Sequence, residues 1–151
     1  MIKAKSVLAI VPARGGSKGI PLKNLRKVGG KSLVARVGDV VRDVAYIDRA
    51  VVSTDNEEIA VAAEASGIAA PFRRPEAISG DRIGDIDVLA DALLQVERID
   101  DIAYDIIVML QPTSPLRRAA DEVGKWKKDF TADELRAATA ILERAGLGPW
   151  L

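Results

Sequence analysis

Val7-Leu-Ala-Ile-Val-Pro-Ala-Arg-Gly-Gly-Ser-Lys-Gly-Ile-Pro-Leu-Lys-Asn24 decides the fold. Its apolar opening reads as a buried strand, Ser6–Val11, and its glycine-rich continuation as a loop built to hold phosphate. Glycines let the backbone approach an anion closely, and Arg14, Lys18 and Lys23 bring positive charge to the same dozen residues. Gly15, Gly16 and Ser17 supply amides and a hydroxyl between them. The spacing matches neither G-x-x-x-x-G-K-[ST] nor G-x-G-x-x-G, so neither a Walker loop nor a dinucleotide fingerprint is indicated.

Outward from this loop, strand and helix patterns alternate. Leu33, Val34, Val37, Val40, Val41 and Val44 recur at helical spacing behind a Ser32 cap. The valines and Gly38 are poor helix formers, so this helix must depend on packing. Arg49–Ser53 reads as a second strand. Asp55, with Glu58 three residues on, is read as the cap of the next helix, and Gly67 as its stop. Ile68–Phe72 is a weak third strand, Asp85–Arg98 a third helix and Asp105–Leu110 a fourth strand, apolar without alternation. Such alternation predicts an α/β fold, a mostly parallel sheet with helices on both faces. Past Arg117 the character changes. Thr131-Ala-Asp-Glu134 is a capping box that predicts a closing helix up to Gly146. The expected organisation is a single nucleotide-binding domain over 1–151, with 118–151 a divergent helical segment.

Composition narrows the chemistry. The 151 residues carry 22 Lys plus Arg and 22 Asp plus Glu, so no global field draws the chain to nucleic acid or to an acidic membrane. Without cysteine or histidine, thiolate sites, imidazole bases and Ser-His triads are excluded. A metal must be a hard ion on carboxylates, most simply magnesium. Asp87 and Asp91, one helical turn apart, have the spacing either to share such an ion or to form a solvated face. The apolar runs are short and the N-terminus lacks a signal-peptide core, which predicts a cytoplasmic protein.

In an open parallel sheet, ligands bind at the carboxyl ends of the strands. Arg14–Asn24, Ser53-Thr-Asp55, Arg73-Arg74-Pro75 and Gln111-Pro-Thr-Ser-Pro-Leu-Arg117 each follow a predicted strand. Cations with amides and hydroxyls suit a nucleoside triphosphate. Each motif also has a plainer reading: a helix cap at Ser53-Thr-Asp55, a solvated pair at Arg73-Arg74, a proline-fixed turn after Gln111.

Together these segments resemble the acylneuraminate cytidylyltransferases, also called CMP-sialic acid synthetases. Ile10–Asn24, Val52-Ser-Thr-Asp55, Arg74-Pro-Glu-Ala-Ile-Ser-Gly-Asp81 and Leu110–Arg117 carry the resemblance, which covers about residues 5–117. It implies a Rossmann-like, GT-A-like nucleotidyltransferase sandwich of three layers, C-terminally shortened here, and a homodimer. It further implies that CMP passes from CTP to a nonulosonic, sialic-type 2-keto sugar acid, releasing pyrophosphate, with magnesium. By this likeness Arg14, Ser17, Lys23 and Asn24 hold the triphosphate, with Arg14 and Lys23 stabilising charge at phosphorus. Arg74, Gln111 and the stretch from Ser79 through Asp81 to Asp85 surround the cytidine. Residues 118–151 do not match the family's later half. Two alternatives therefore stand beside the transferase: a non-catalytic CTP-binding module, and a nucleotidyltransferase for another sugar acid such as a deoxyoctulosonate. In a sheet of order 3-2-1-4 the fourth strand lies at an edge, where a second copy could pair.

Overall fold

The computed structural model describes residues 1, 4–16, 20–80 and 83–113. Its centre is β1, Val7–Pro12. β1 pairs in parallel with β4, Arg49–Ser53, on one side and with β5, Ile106–Met109, on the other. Val7, Leu8, Ala9, Ile10 and Val11 are all fully buried. The strand's two faces lead into two separate cores. Val7, Ala9 and Val11 pack with Val34 and Val37 of α1 (Leu33–Asp43) and Ile59 and Ala63 of α2 (Glu57–Ala65). Leu8 and Ile10 pack with Leu89, Ala92, Leu93 and Val96 of α3, Asp85–Asp100. The result is a helix–sheet–helix sandwich, which explains the unalternating apolar pattern of β1 and β5.

The expected order 3-2-1-4 holds in space, with one reduction. The described sheet has three strands, in the order β4-β1-β5. The segment expected as a third strand touches β4 only through a parallel bridge between Val51 and Ala69. Val52 N donates to Ala69 O at 2.9 Å and Ala69 N to Ala50 O at 3.0 Å. Pro71, which has no amide to donate, stands where the ladder would continue. One element escaped the sequence reading. β2 (Lys27–Val28) and β3 (Lys31–Ser32) form a small antiparallel hairpin. Gly29 and Gly30 turn it at φ 60° and 84°, the left-handed pair that a two-residue hairpin requires.

Helix ends follow capping rules. Ser32 Oγ accepts from Ala35 N at 3.2 Å, as its position predicts. The cap of α2 is Asn56, not Asp55: Asn56 Oδ1 accepts from Ile59 N at 3.0 Å. Asp55 is displaced from that role because its carboxylate accepts from Gly15 N instead. At the far end of α2, Gly67 takes φ 85°, its N–H bonds Glu64 O, and Ile68 N–H bonds Ala63 O. This is the paired carbonyl closure for which glycine is favoured. The expected helix after Thr131 and the segment 118–151 lie outside the described residues. No helix among the described residues is long and apolar enough to cross a membrane.

Gly38 shows why α1 contains a glycine. A Cβ there would lie 2.4 Å from the backbone oxygen of Ser66, at the end of α2. The glycine is a point of close approach between two elements on the same sheet face. Gly38→Ala gains up to about 1 kcal/mol of helix propensity but forces apart a backbone contact, an overpacking cost of about 1–3 kcal/mol. Net destabilisation is expected and is read from the urea unfolding midpoint; an unchanged or raised midpoint contradicts the close approach.

Candidate nucleotide site

Strand register aligns the loops. Pro12 is paired with Ser53 across β1 and β4, and Ile10 with Met109 across β1 and β5. The chain therefore leaves all three strands at the same end of the sheet. There it encloses a cavity of about 320 Å³ lined by Pro12, Arg14, Lys23, Asn24, Arg74, Gly80, Ile83, Asp85, Val88, Gln111, Pro112 and Thr113. Six site residues expected from the sequence thus meet on one cavity: Arg14, Lys23, Asn24, Arg74, Asp85 and Gln111. Ser17, Lys18 and Asp81 lie outside the described residues. Gly15 and Gly16 follow Arg14 in the loop beside the cavity without lining it, and Gly16 is exposed. Ser79 turns inward on its own chain, its hydroxyl donating to Pro75 O at 2.9 Å.

The wall residues are held from behind. Asn24 is 5% exposed and its Nδ2 donates to Arg14 O at 3.1 Å, so it fixes the backbone of the loop that carries Arg14. Lys23 opens a single 3₁₀ turn, Lys23–Leu25, entered through Leu22 in a left-handed conformation at φ 48°. A non-glycine residue held there carries backbone strain, a feature that clusters at binding sites.

Adjacent arginines have opposite fates. Arg73 is exposed and its guanidinium reaches both oxygens of Glu57 at 2.8 and 2.6 Å, the solvated pair expected for one of them. Arg74 is 6% exposed. Its Nε donates to Ser53 Oγ at 3.0 Å, its Nη2 to Ser53 O at 2.8 Å, and its backbone N to Thr54 O at 2.7 Å. Burial pushes the Arg74 guanidinium below its ordinary value, and the nearby carboxylates of Asp55, Asp91 and Asp85 oppose that push. A buried guanidinium keeps its charge, so Arg74 is a fixed cation on the cavity wall.

The carboxylates of α3 do not form the cation pair that their spacing allowed. Asp91 is 1% exposed, and both its oxygens accept from Gln95 Nε2, at 3.1 and 3.2 Å. Among the described residues no group of three or more acidic side chains could hold a metal ion. Asp85 is the carboxylate that faces the cavity. The described residues therefore do not fit a protein-built magnesium site.

The sequence reading did not anticipate the apolar wall of Ile83 and Val88, or the supporting role of Ser53 and Thr54, both fully buried. Ile83 and Val88 flank the first turn of α3, and their apolar character beside Asp85 was the available signal.

Burial pushes the Asp91 carboxyl above its ordinary value, against the opposing Gln95 hydrogen bond and Arg74 charge. In the unfolded chain the group titrates near pH 4. Below that, both states hold the proton and nothing is lost. As pH rises through the higher folded value, the ionised group weighs against folding, fully so above it. Asp91→Asn should therefore stabilise the protein at pH 7.5 and have little effect at pH 4, measured by urea unfolding. A loss of stability at pH 7.5 would mean that attraction to Arg74 outweighs burial.

Similar known proteins point one way. A pattern described as cytidylyltransferase matches residues 8–123. The CMP-N,N'-diacetyllegionaminic acid synthase of Legionella pneumophila is 37% identical over 112 residues, 74% of this chain and 48% of that protein. The 3-deoxy-manno-octulosonate cytidylyltransferase of Maricaulis maris is 33% identical over 136 residues, 90% of this chain and 47% of that protein. The N-acylneuraminate cytidylyltransferase A of Danio rerio is 37% identical over 113 residues, 75% of this chain and 25% of that protein. A CMP:2-keto-3-deoxy-manno-octonic acid synthetase, solved in complex with CTP, superposes with a TM-score of 0.63 at 26% identity over 82% of this chain and 48% of that one. The chain thus spans half or less of the length of these relatives. The pattern over residues 8–123 covers most of the chain, and the chain belongs to the cytidylyltransferase family.

Proposed function

We propose that this chain binds CTP in the cavity at the carboxyl end of its sheet and serves in transferring CMP to a 2-keto sugar acid with release of pyrophosphate. One observation carries the reading: three separate connections bring Arg14 and Lys23, Arg74, and Gln111 to one cavity in a chain of this family. Arg14 and Lys23 are suited to the triphosphate, as cations that need no reorganisation when charge builds at the α-phosphorus. Ile83, Val88 and Pro12 offer apolar surface for a base, and Gln111 and Asp85 offer polar edges for it. The relatives named above act on legionaminic, acylneuraminic and deoxyoctulosonic acids, which supports a sugar acid as acceptor and leaves its identity to assay. In this reading a hydroxyl of the sugar acid attacks the α-phosphorus in line and pyrophosphate departs on the opposite side.

Magnesium belongs to the proposal as a companion of the nucleotide, held chiefly by its phosphates. A cytoplasmic location accords with the use of CTP. A homodimer is proposed along the outer edge of β5, the last strand of the described sheet, whose Ile107 and Val108 are apolar on both faces.

Calorimetry should detect CTP binding, and Lys23→Ala should weaken it by about 1.5–3 kcal/mol, the scale of a hydrogen bond to a charged group. Equal affinity in the two proteins removes Lys23 from the site. Pyrophosphate release from CTP with a panel of keto-sugar acids separates the transferase from the alternative, a CTP-binding module without transfer. Release with one acid identifies the acceptor, whereas binding without release supports the module.

A further inference from the structure

The corner between β4 and α2 contacts both walls of the cavity without lining it. Ala13 N, at the start of the glycine loop, donates to Ser53 O at 2.9 Å. Two residues on, Gly15 N donates to Asp55 Oδ1 at 2.8 Å. A Cβ on Gly15 would stand 2.8 Å from Asn56 Cβ, so this glycine lets the loop lie directly on the corner. On its other side the same corner holds Arg74 through Ser53 and Thr54. Thr54 Oγ1 accepts from Asn56 N at 3.1 Å and stiffens the turn between.

Placement of Asp55 is unusual for its surroundings. A carboxylate beside a loop rich in cations and amides competes with the anion that the loop is built to take. It costs least where it engages an amide directed away from the ligand. Gly15 meets this condition, since its N–H points to the corner while Arg14, the residue before it, lines the cavity. Helix capping does not account for Asp55, because Asn56 performs it.

We infer that Asp55 is a positioning residue for the phosphate loop: by accepting from Gly15 N–H it fixes the backbone that aims Arg14 into the cavity. The inference rests on the CTP reading above and deepens it. Asp55 does not touch the nucleotide. It sets the loop's shape before the nucleotide arrives, so its loss falls on the triphosphate and not on the nucleoside.

The test uses the full chain with Asp55→Ala and Asp55→Asn. Asn keeps an acceptor oxygen and loses only the charge. Three quantities are measured: the amide exchange rate of Gly15 without nucleotide, and the affinities for CTP and for cytidine. Asp55→Ala should speed Gly15 exchange and weaken CTP about tenfold, with cytidine unchanged, the scale of one lost charge-assisted hydrogen bond. Asp55→Asn should restore most of both. Unchanged CTP affinity in Asp55→Ala overturns the inference. Equal weakening of CTP and cytidine also overturns it, since that marks general loosening. Tighter CTP binding overturns it as well, and would make Asp55 a competitor of phosphate. Failure of the wild type to bind CTP defeats the function reading alone. In that case Gly15 exchange decides: faster in Asp55→Ala upholds loop ordering by Asp55, and unchanged contradicts it.

Discussion

Burial of β1 on both faces is the constraint from which the rest follows. Five consecutive residues, Val7–Val11, have no exposed surface. Fully burying a side chain such as Leu8 or Ile10 contributes about 1.5–3 kcal/mol. That gain requires α1 and α2 against one face and α3 against the other, and a parallel strand along each edge. Parallel pairing brings the ends of all three strands out at one side of the molecule, and register sets Ser53 opposite Pro12. The cavity is therefore a consequence of how the core is filled. Its lining could vary widely without disturbing β1.

The second organising fact is electrostatic. Arg74 is a cation removed from water, which is tolerated only where its hydrogen bonds are met and carboxylates stand near. Ser53 meets it with a hydroxyl and a carbonyl, and Asp55, Asp91 and Asp85 surround it with negative charge. Asp91 bears the converse burden: it is buried on α3 and held by Gln95. The site thus holds its cations at the wall and its anions behind or beside them. This polarity suits an incoming polyphosphate, and it ties the loops from β1 and β4 to a helix on the opposite face.

Much of this was legible in the sequence where periodicity or a glycine imposes one answer. The apolar run at Val7–Val11, the α1 stripe, the Ser32 cap and the Gly67 stop have few alternatives, and the motifs after the strands meet on the cavity. Reading stopped where two neighbours compete for one role. Asp55 and Asn56 are both good caps, and only the nearness of Gly15 diverts Asp55. Arg73 and Arg74 are chemically equal, and only Ser53 decides which turns inward. Asp87 and Asp91 have metal-pair spacing, yet the rotation of α3 buries Asp91 and leaves Asp87 half-buried. The third strand, weak in β-branched residues and cut by Pro71, shrinks to a bridge. Each of these outcomes depends on tertiary neighbours distant in sequence.

Backbone amide NMR during a CTP titration tests the central claim most directly, because it reports on both ends of the sheet at once. The account predicts shifts concentrated at Arg14, Gly15, Asn24, Arg74, Ile83 and Gln111. It predicts none at the opposite end, where Tyr104 OH is tied to Asp100 and Val7 N to Asp48. Shifts centred on Asp48, Asp100 and Tyr104, or an absence of shifts at saturating CTP, would contradict it.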